Sequence, residues 1–433
     1  MSKLSEHVYP LGRLGDLVRG FRGVTYKPDD LRTIADEHTA VLLRSNNIQE
    51  SYLNFEDIQI VPTSIVSEQQ VLDKGDIAVC MSNGSRQLVG KSGIYDGSYS
   101  NKLTVGAFCS IFRCFCEDDA DYVRYLFQSQ EYQHSIDILL AGSAINNLKN
   151  SDVESILLPI APKENRAKIA EILGNLDRYI QTVVASIDKL NAIKQGMMTD
   201  LFSRGIDPAT GHLRPSFHDA PEFYYHTPLG PAPKGWEYGL LKRFVRVAEY
   251  GISTSLDEDV TGIPVLRMNN IQNNRFDVSD LKYTKEPDAY RLKLRKGDVL
   301  YNRTNSMEHV GKTALWREEL EECSFASYLV RLNLHEDQLR PAYFSHWMSQ
   351  ESSQNALRAF ATPAVQQVNI NPTNLQRVEI CCPGDPHEQD LIVERIDALD
   401  DNIAAESMNR MKLQEQKAGL MRDLLTGKVP VSA

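Results

Sequence analysis

No stretch of about 18 consecutive apolar residues occurs in the chain, so no membrane-spanning helix is expected. The opening MSKLSEHVYPLGRLGD lacks the apolar centre of a secretory signal, and the expectation is a soluble, cytoplasmic protein with no membrane partner. Cysteine is scarce, at seven residues, and never spaced as C-x-x-C. Cys80, Cys109, Cys114, Cys116, Cys323, Cys381 and Cys382 fall mostly in apolar, strand-like runs such as FCSIFRCFC, which points to buried free thiols. The ten histidines are scattered without metal-ligand spacing, and no Ser, His and acid set can be assembled. GSRQLVGKS (84–92) has five residues between its glycines where a phosphate cradle needs four, and NSMEHVGKT (305–313) lacks the first glycine. NPTN (371–374) is not an Asn-Pro-Pro-aromatic methyltransferase motif, and no G-x-G strand turn is present. Nothing indicates an enzyme, a cofactor or a metal. Positive charge is also short: 47 Lys and Arg against 58 Asp and Glu leave a net charge of −11, which on its face disfavours nucleic acid. Net charge is a weak veto, because acid concentrates in CEDDADY (116–122) and REELEE (317–322). RLKLRK (291–296), with Arg303 and Lys312, makes a local basic zone that reads equally as a solvated face.

What the chain has is repetition. VLLRSNNIQESYLNFEDI (41–58) matches PVLRMNNIQNNRFDVSDL (264–281), placing Arg44 on Arg267 (267 − 44 = 223). DKGDIAVCMSNGSRQLVGKS (73–92) answers RKGDVLYNRTNSMEHVGKT (295–313), and KLNAIKQGMMTDLF (189–202) answers KLQEQKAGLMRDLL (412–425). So long a period lies outside solenoids and propellers and indicates an internal duplication with a pseudo-two-fold relation.

Within each copy a globular part precedes a long helix. Over 163–204, Ile169, Leu173, Leu176, Ile180, Val183, Ile187, Leu190, Met197 and Leu201 step by threes and fours, interrupted by Lys194, in the manner of a coiled-coil seam. Over 387–427 the seam is Ile392, Ile396, Leu399, Ile403, Leu413, Leu420 and Leu424, with Glu406 and Arg410 in seam positions. Two readings stand there: a stutter that gives the seam to Met408 or Met411, favoured here, and a register-fixing polar pair. Each helix is about 60 Å long at about 1.5 Å per residue and cannot bury its stripe alone. The other copy is the nearest partner. A parallel pair is sterically allowed, but an antiparallel pair gives the two-fold. The Pro-rich stretch 205–235 reads as extended and draped rather than folded. The globular parts show short strands, then one short helix each at 121–136 and 342–357, whose aromatics suit a core. The fold class is α+β.

These residues resemble a known family, the specificity subunits of type I DNA restriction-modification systems, over essentially all 433 residues. KGDVLYNRTNSMEHVGKTALW (296–316), the junctions LLPIAPKENRAKIAEIL (157–173) and CCPGDPHEQDLIVERI (381–396), and TPLGPAPKGWEYGLLKRF (227–244) carry the resemblance. Asn165 replaces the usual glutamine of the first junction, and CMSNGS stands where the second copy has NRTNS, so that Met81 occupies the place of Arg303. The resemblance implies α/β target-recognition domains at 1–161 and 236–385, spacer helices at 162–205 and 386–428 forming an antiparallel coiled coil, a linker at 206–235 and a tail at 429–433. It also implies a non-catalytic reader of double-stranded DNA. Its partners would be two methyltransferase subunits docked on the coiled coil and, through them, a translocating nuclease (restriction) subunit.

Asn and Arg present the bidentate patterns that distinguish adenine and guanine in the major groove. The candidate DNA-binding residues are accordingly Asn302, Arg303, Asn305, Ser306, Lys312, Arg267, Asn269, Asn270, Gln366 and Gln367 in the second copy. In the first they are Arg44, Asn46, Asn47, Asn83, Arg86, Lys91, Asn146 and Asn147. An Asn pair after a strand is equally a turn, and both Gly-Lys pairs suit a turn with a phosphate-facing Lys. Partner subunits closing around the duplex would offset the acidic total. Two heads related by a two-fold predict half-sites about one helical turn, roughly 10 base pairs, apart. Different loops predict different half-sites. A coiled-coil scaffold whose heads bind protein is the rival reading, and it would enrich no sequence from random duplexes.

Overall fold

A computed structural model describes residues 8–49, 51–142, 146–364 and 367–431. The chain divides into two compact units, Met1–Ala185 with Met408–Ala433, and Ser186–Ser407. Each unit therefore holds one globular part and half of each long helix.

In the first unit a five-stranded sheet runs in the order Val18–Arg22, Cys109–Cys114, Ile77–Cys80, Ser92–Ile94, Ser51–Tyr52. A three-stranded sheet runs Gln59–Pro62, Thr39–Leu43, Leu103–Val105, its last pair parallel. The central strand IAVC is apolar at every position because both its faces are covered. Ile77 and Val79 face a core with Tyr122, Tyr125 and Tyr132, while Ala78 and Cys80 face one with Leu43, Leu103 and Val105.

The second unit repeats the plan: Val245–Tyr250, Leu329–Leu334, Val299–Asn302 and Thr313–Leu315 form one sheet. Lys282–Thr284, Ile263–Leu266 and Ser324–Phe325 form the other, again closing on a parallel pair. Alternation assigns Val299 and Tyr301 to one core and Leu300 to the other. The helix expected at 121–136 is two, Ala120–Leu126 and Gln130–Ala141, because Ser129 caps the second by accepting from the Tyr132 N–H. Likewise Pro341–Ser349 and Glu351–Arg358 replace 342–357. The aromatics Tyr122, Tyr125, Tyr132, Tyr343 and Phe344 are buried, as helical spacing implied.

The long helices are Lys163–Arg204 and Pro386–Thr426, each ending at a left-handed glycine, Gly205 or Gly427. Within each unit their halves run antiparallel. In the first, Asp177 pairs with Lys417 at 2.7 Å, while Ile169 and Leu173 share a core with Met421, Leu424 and Leu425. In the second, Lys194 pairs with Asp400 at 2.5 Å, while Met198 and Leu201 share a core with Ile392 and Ile396. Lys194 and Asp400 stand one repeat from Lys417 and Asp177, so the duplication places the same ion pair in both units.

The second seam departs from expectation. Met408 and Met411 are exposed, whereas Glu406 and Arg410 are half-buried, which overturns the stutter in favour of polar seam positions. Leu420 is exposed as well, and Met421 takes its place. The stretch after Gly205 is folded rather than draped. Tyr224–Thr227 and Gly230–Pro233 form an antiparallel hairpin, fastened by Tyr225 Oη donating to the Trp236 carbonyl at 2.8 Å. Arg214 anchors the stretch to the buried Glu388 carboxylate. Proline is tolerated because a two-stranded ribbon leaves half its N–H groups unpaired.

Candidate nucleic-acid interface

Three loops chosen from the sequence meet in each unit. The first follows the central strand and is closed by the Gly-Lys pair. Gly90 donates to the Cys80 carbonyl and Cys80 to the Lys91 carbonyl, just as Gly311 donates to Asn302 and Asn302 to Lys312. Both glycines are left-handed, with φ of +86° and +87°, and a side chain on Gly90 would meet Ile136. The second loop joins the first edge to edge. In the first unit Leu148 donates to the Met81 carbonyl, Ser82 bridges Asn147, and Asn146 Nδ2 donates to the Gly84 carbonyl at 3.3 Å. In the second unit Ile370 donates to the Arg303 carbonyl, and Thr304–Asn305 pairs antiparallel with Gln367–Asn369. The third loop touches the first through Asn83 Nδ2 to Ser45 Oγ at 3.2 Å and Lys91 Nζ to Gln49 Oε1 at 3.3 Å. Its counterpart in the second unit is Asn305 Nδ2 to Met268 Sδ at 3.7 Å.

The Arg-x-Asn-Asn runs are structural staples. Asn47 and Asn270 are only 1% and 2% exposed. Asn47 accepts from the Arg44 N–H and donates to the Glu56 carbonyl. Asn270 accepts from the Arg267 N–H and donates to the Asp277 and Asp280 carbonyls. Arg44 binds Asp57 at 2.7 Å, Arg267 binds Asp280 at 2.8 Å, and Asn46 and Asn269 donate to the same carboxylates. Asn47 and Asn270 are thus corrected as base readers, since burial withholds their amides from any duplex. The turn reading holds for them. Asn302, with no exposed surface, is corrected too, its Oδ1 accepting from the Thr304 N–H.

What stays accessible is the rim. Ser306, Arg86 and Asn147 are exposed, and Arg303, Asn305, Lys312, Gln367, Asn83, Lys91 and Asn146 are half-buried. Gln366 lies outside the described residues. Arg86 reaches across to the Asp137 carbonyl at 2.8 Å. Arg303 is pre-positioned: Nε donates to the Ser327 carbonyl at 3.0 Å, Nη1 to Asn369 Oδ1 at 3.2 Å, and the guanidinium lies 5.0 Å from the Tyr250 ring centre. Met81, its counterpart, is fully buried. Asn369 is not among the residues the sequence singles out, although it stands two residues from Gln367 and so on the same strand face. Two of the four cations in the run 291–296 are held in ion pairs, Arg291 with Asp288 and Lys293 with Glu322, in keeping with a solvated face.

Among the described residues one trio, His346, Asp397 and Asp400, brings potential metal-ligand atoms within 4.8 Å of one another. Cations already occupy both carboxylates, Lys194 on Asp400 and Arg317 on Asp397 at 3.0 Å. Burial raises the Asp397 carboxyl, but hydrogen bonds and charge from His346 and Arg317 outweigh it and hold the group below its ordinary value. The trio clamps a globular part to a long helix.

Residues 233–415 match the family model of the type I restriction modification DNA specificity domain. The chain is similar to the specificity subunits of type I restriction-modification systems. It is 26% identical over 382 residues to the EcoKI specificity subunit of Escherichia coli K12, covering 87% of this chain and 79% of that one. It is 23% identical over 381 residues to the StySPI specificity subunit of Salmonella potsdam, with the same coverages. Among solved structures, the type I S subunit from M. genitalium superposes with a TM-score of 0.55 at 12% identity, over 100% of this chain and 99% of that one. A chain from a type I R-M system studied for complex assembly and conformational transition gives 0.54 at 15%, over 99% and 100%. At such identities these structures speak for the fold. No helix among the described residues is long and apolar enough to cross a membrane.

Proposed function

We propose that this chain is the non-catalytic, sequence-specific DNA reader of a cytoplasmic type I restriction-modification complex. Residues 1–161 and 236–385 act as its recognition domains. Its long helices, 162–205 and 386–428, dock two methyltransferase subunits and, through them, the restriction subunit. The linker 206–235 and tail 429–433 take no part in reading. The carrying observation is that loops from three separate parts of each unit converge on one rim, yet bear different residues in the two units. Arg303, Asn305, Ser306 and Gln367 form the set of the second unit, and Asn83, Asn146 and Asn147 that of the first. Lys312 and Lys91, anchored at the loop closures, suit phosphate, as does Arg86. Arg44, Asn46, Arg267 and Asn269 hold the third loop in place and reach the duplex only at its edge.

Unlike sets read unlike bases, so the target is two short, different blocks separated by a fixed unread stretch. The test purifies the chain with its methyltransferase, selects from random duplexes and maps methylated positions genome-wide. A non-palindromic bipartite motif supports the reading. No enrichment from the pool leaves a protein-binding scaffold, and a continuous or palindromic motif overturns the two-reader architecture.

A further inference from the structure

The first unit has no arginine at the place of Arg303, yet it has a guanidinium there. The strands Val18–Arg22 and Val245–Tyr250 each run into a glycine pressed against the turn before the next strand. A Cβ on Gly23 would lie 2.2 Å from the Gly106 oxygen, and one on Gly251 2.3 Å from the Phe325 oxygen. Gly23 donates to the Cys109 carbonyl and Gly251 to the Leu329 carbonyl, so Arg22 and Tyr250 are equivalent positions. The turn they abut ends in an aromatic that stays in water in both units, Phe108 at 68% and Tyr328 at 48% exposure. Arg22 Nε donates to the Ala107 carbonyl at 2.9 Å. Arg303 Nε donates to the Ser327 carbonyl at 3.0 Å. Ala107 and Ser327 are the residues immediately before the two exposed aromatics. The same carbonyl thus anchors a guanidinium in each unit, supplied by the edge strand in the first and by the central strand in the second. The residues have traded places: Arg22 with Met81 in one unit, Tyr250 with Arg303 in the other.

We propose that Arg22, with Phe108 beside it, is the base-reading arginine of the first unit. Fixing Nε leaves the terminal nitrogens as the bidentate fork that suits the guanine O6 and N7 edge. Exposing a large aromatic forfeits its burial, and its recurrence at one place in two otherwise divergent loops fits a side chain that packs on the duplex beside the reading arginine. The inference rests on the DNA-reading function proposed above.

The test selects random duplexes with the full methyltransferase complex carrying Arg22→Ala, Arg22→Lys or Arg303→Ala, each with its melting temperature. Arg22→Ala relaxes one position in one block by about tenfold or more, and Arg303→Ala does the same in the other block. Arg22→Lys keeps overall affinity but not the preference, because an ammonium lacks the fork. Unchanged preference in a folded Arg22→Ala complex, uniform weakening across all sequences, or both variants relaxing the same block would overturn the inference while leaving the DNA-reading function standing. A wild-type complex that enriches no sequence overturns both.

Discussion

A buried asparagine and an accessible one can stand side by side in a motif, and the difference decides what each can do. Asn46 and Asn47, or Asn269 and Asn270, look alike in sequence, but the second of each pair turns inward and spends its amide on carbonyls of its own loop. Asn270→Ala leaves the Asp277 and Asp280 carbonyls without that donor, and the expected cost is about 1 to 3 kcal/mol with no change in the sequence preferred. Thermal unfolding together with duplex selection checks it, and a shifted motif would restore Asn270 as a reader. The repeat made the Arg-x-Asn-Asn positions legible. Inward or outward direction was not, because it depends on how the loop closes on Asp57 and Asp280, residues 13 positions downstream of the arginines. The exchange of Arg22 for Arg303 was invisible for a similar reason: equivalence in space there crosses from one strand to another. The thiols were legible in part: Cys80, Cys109, Cys323 and Cys382 are buried as expected, whereas Cys114, Cys116 and Cys381 are half-buried. Burial pushes Cys114 and Cys323 up to about 12, so the folded chain holds these protons more tightly than the unfolded one, in which a thiol titrates near about 8.5. That stabilisation is intact below about pH 8.5 and is lost as pH rises toward 12. Iodoacetamide at pH 8 should therefore spare both thiols until denaturant is added, and rapid labelling of the native chain would contradict the assignment.

At the level of elements, a heptad stripe tells which face of a helix is covered but not which polar groups fasten it to the domain beside it. Ile169, Leu173, Ile180 and Val183 fall where their spacing puts them. The couplings that set register are polar and come from afar: Tyr125 Oη donates to Asp177 at 2.8 Å, and His346 Nε2 meets Asp397 at 2.9 Å. His346 is nearly buried, so Asp397→Asn strands it beside Arg317 and should cost about 1 to 3 kcal/mol at pH 7. The sign with pH follows from the depressed carboxyl. The contribution is present above the unfolded value near about pH 4 and disappears as pH falls through the lower folded value. Urea unfolding at pH 7 should separate wild type from Asp397→Asn, and the gap should close in acid. A gap that persists once the folded carboxyl is protonated would assign the effect to packing instead.

The whole molecule is two units: the second, Ser186–Ser407, is one continuous run, whereas the first is completed by Met408–Ala433. Met421, Leu424 and Leu425 finish its core, and one repeat earlier stand Met198, Leu201 and Phe202. Lys194 likewise stands one repeat before Lys417, the partner of Asp177. A fragment of residues 1–205 therefore lacks the half-helix its core needs but carries an equivalent half-helix that its own unit does not use. Each of the three apolar side chains is worth about 1.5 to 3 kcal/mol when buried, enough to drive pairing at micromolar concentration. The fragment should form a dimer in which each copy lends residues 186–204 to the other, with Asp177 of one copy on Lys194 of the second. Light scattering should give twice the fragment mass. Asp177→Lys should weaken the dimer, and Asp177→Lys with Lys194→Asp should restore it. Joined to the methyltransferase, such a dimer holds two copies of the first reading rim and no copy of the second, so selection should return the first block repeated as an inverted pair. A folded monomer, or a charge reversal without effect, would show that the two half-helices are not interchangeable and that the duplication persists in sequence without persisting in the energetics of assembly.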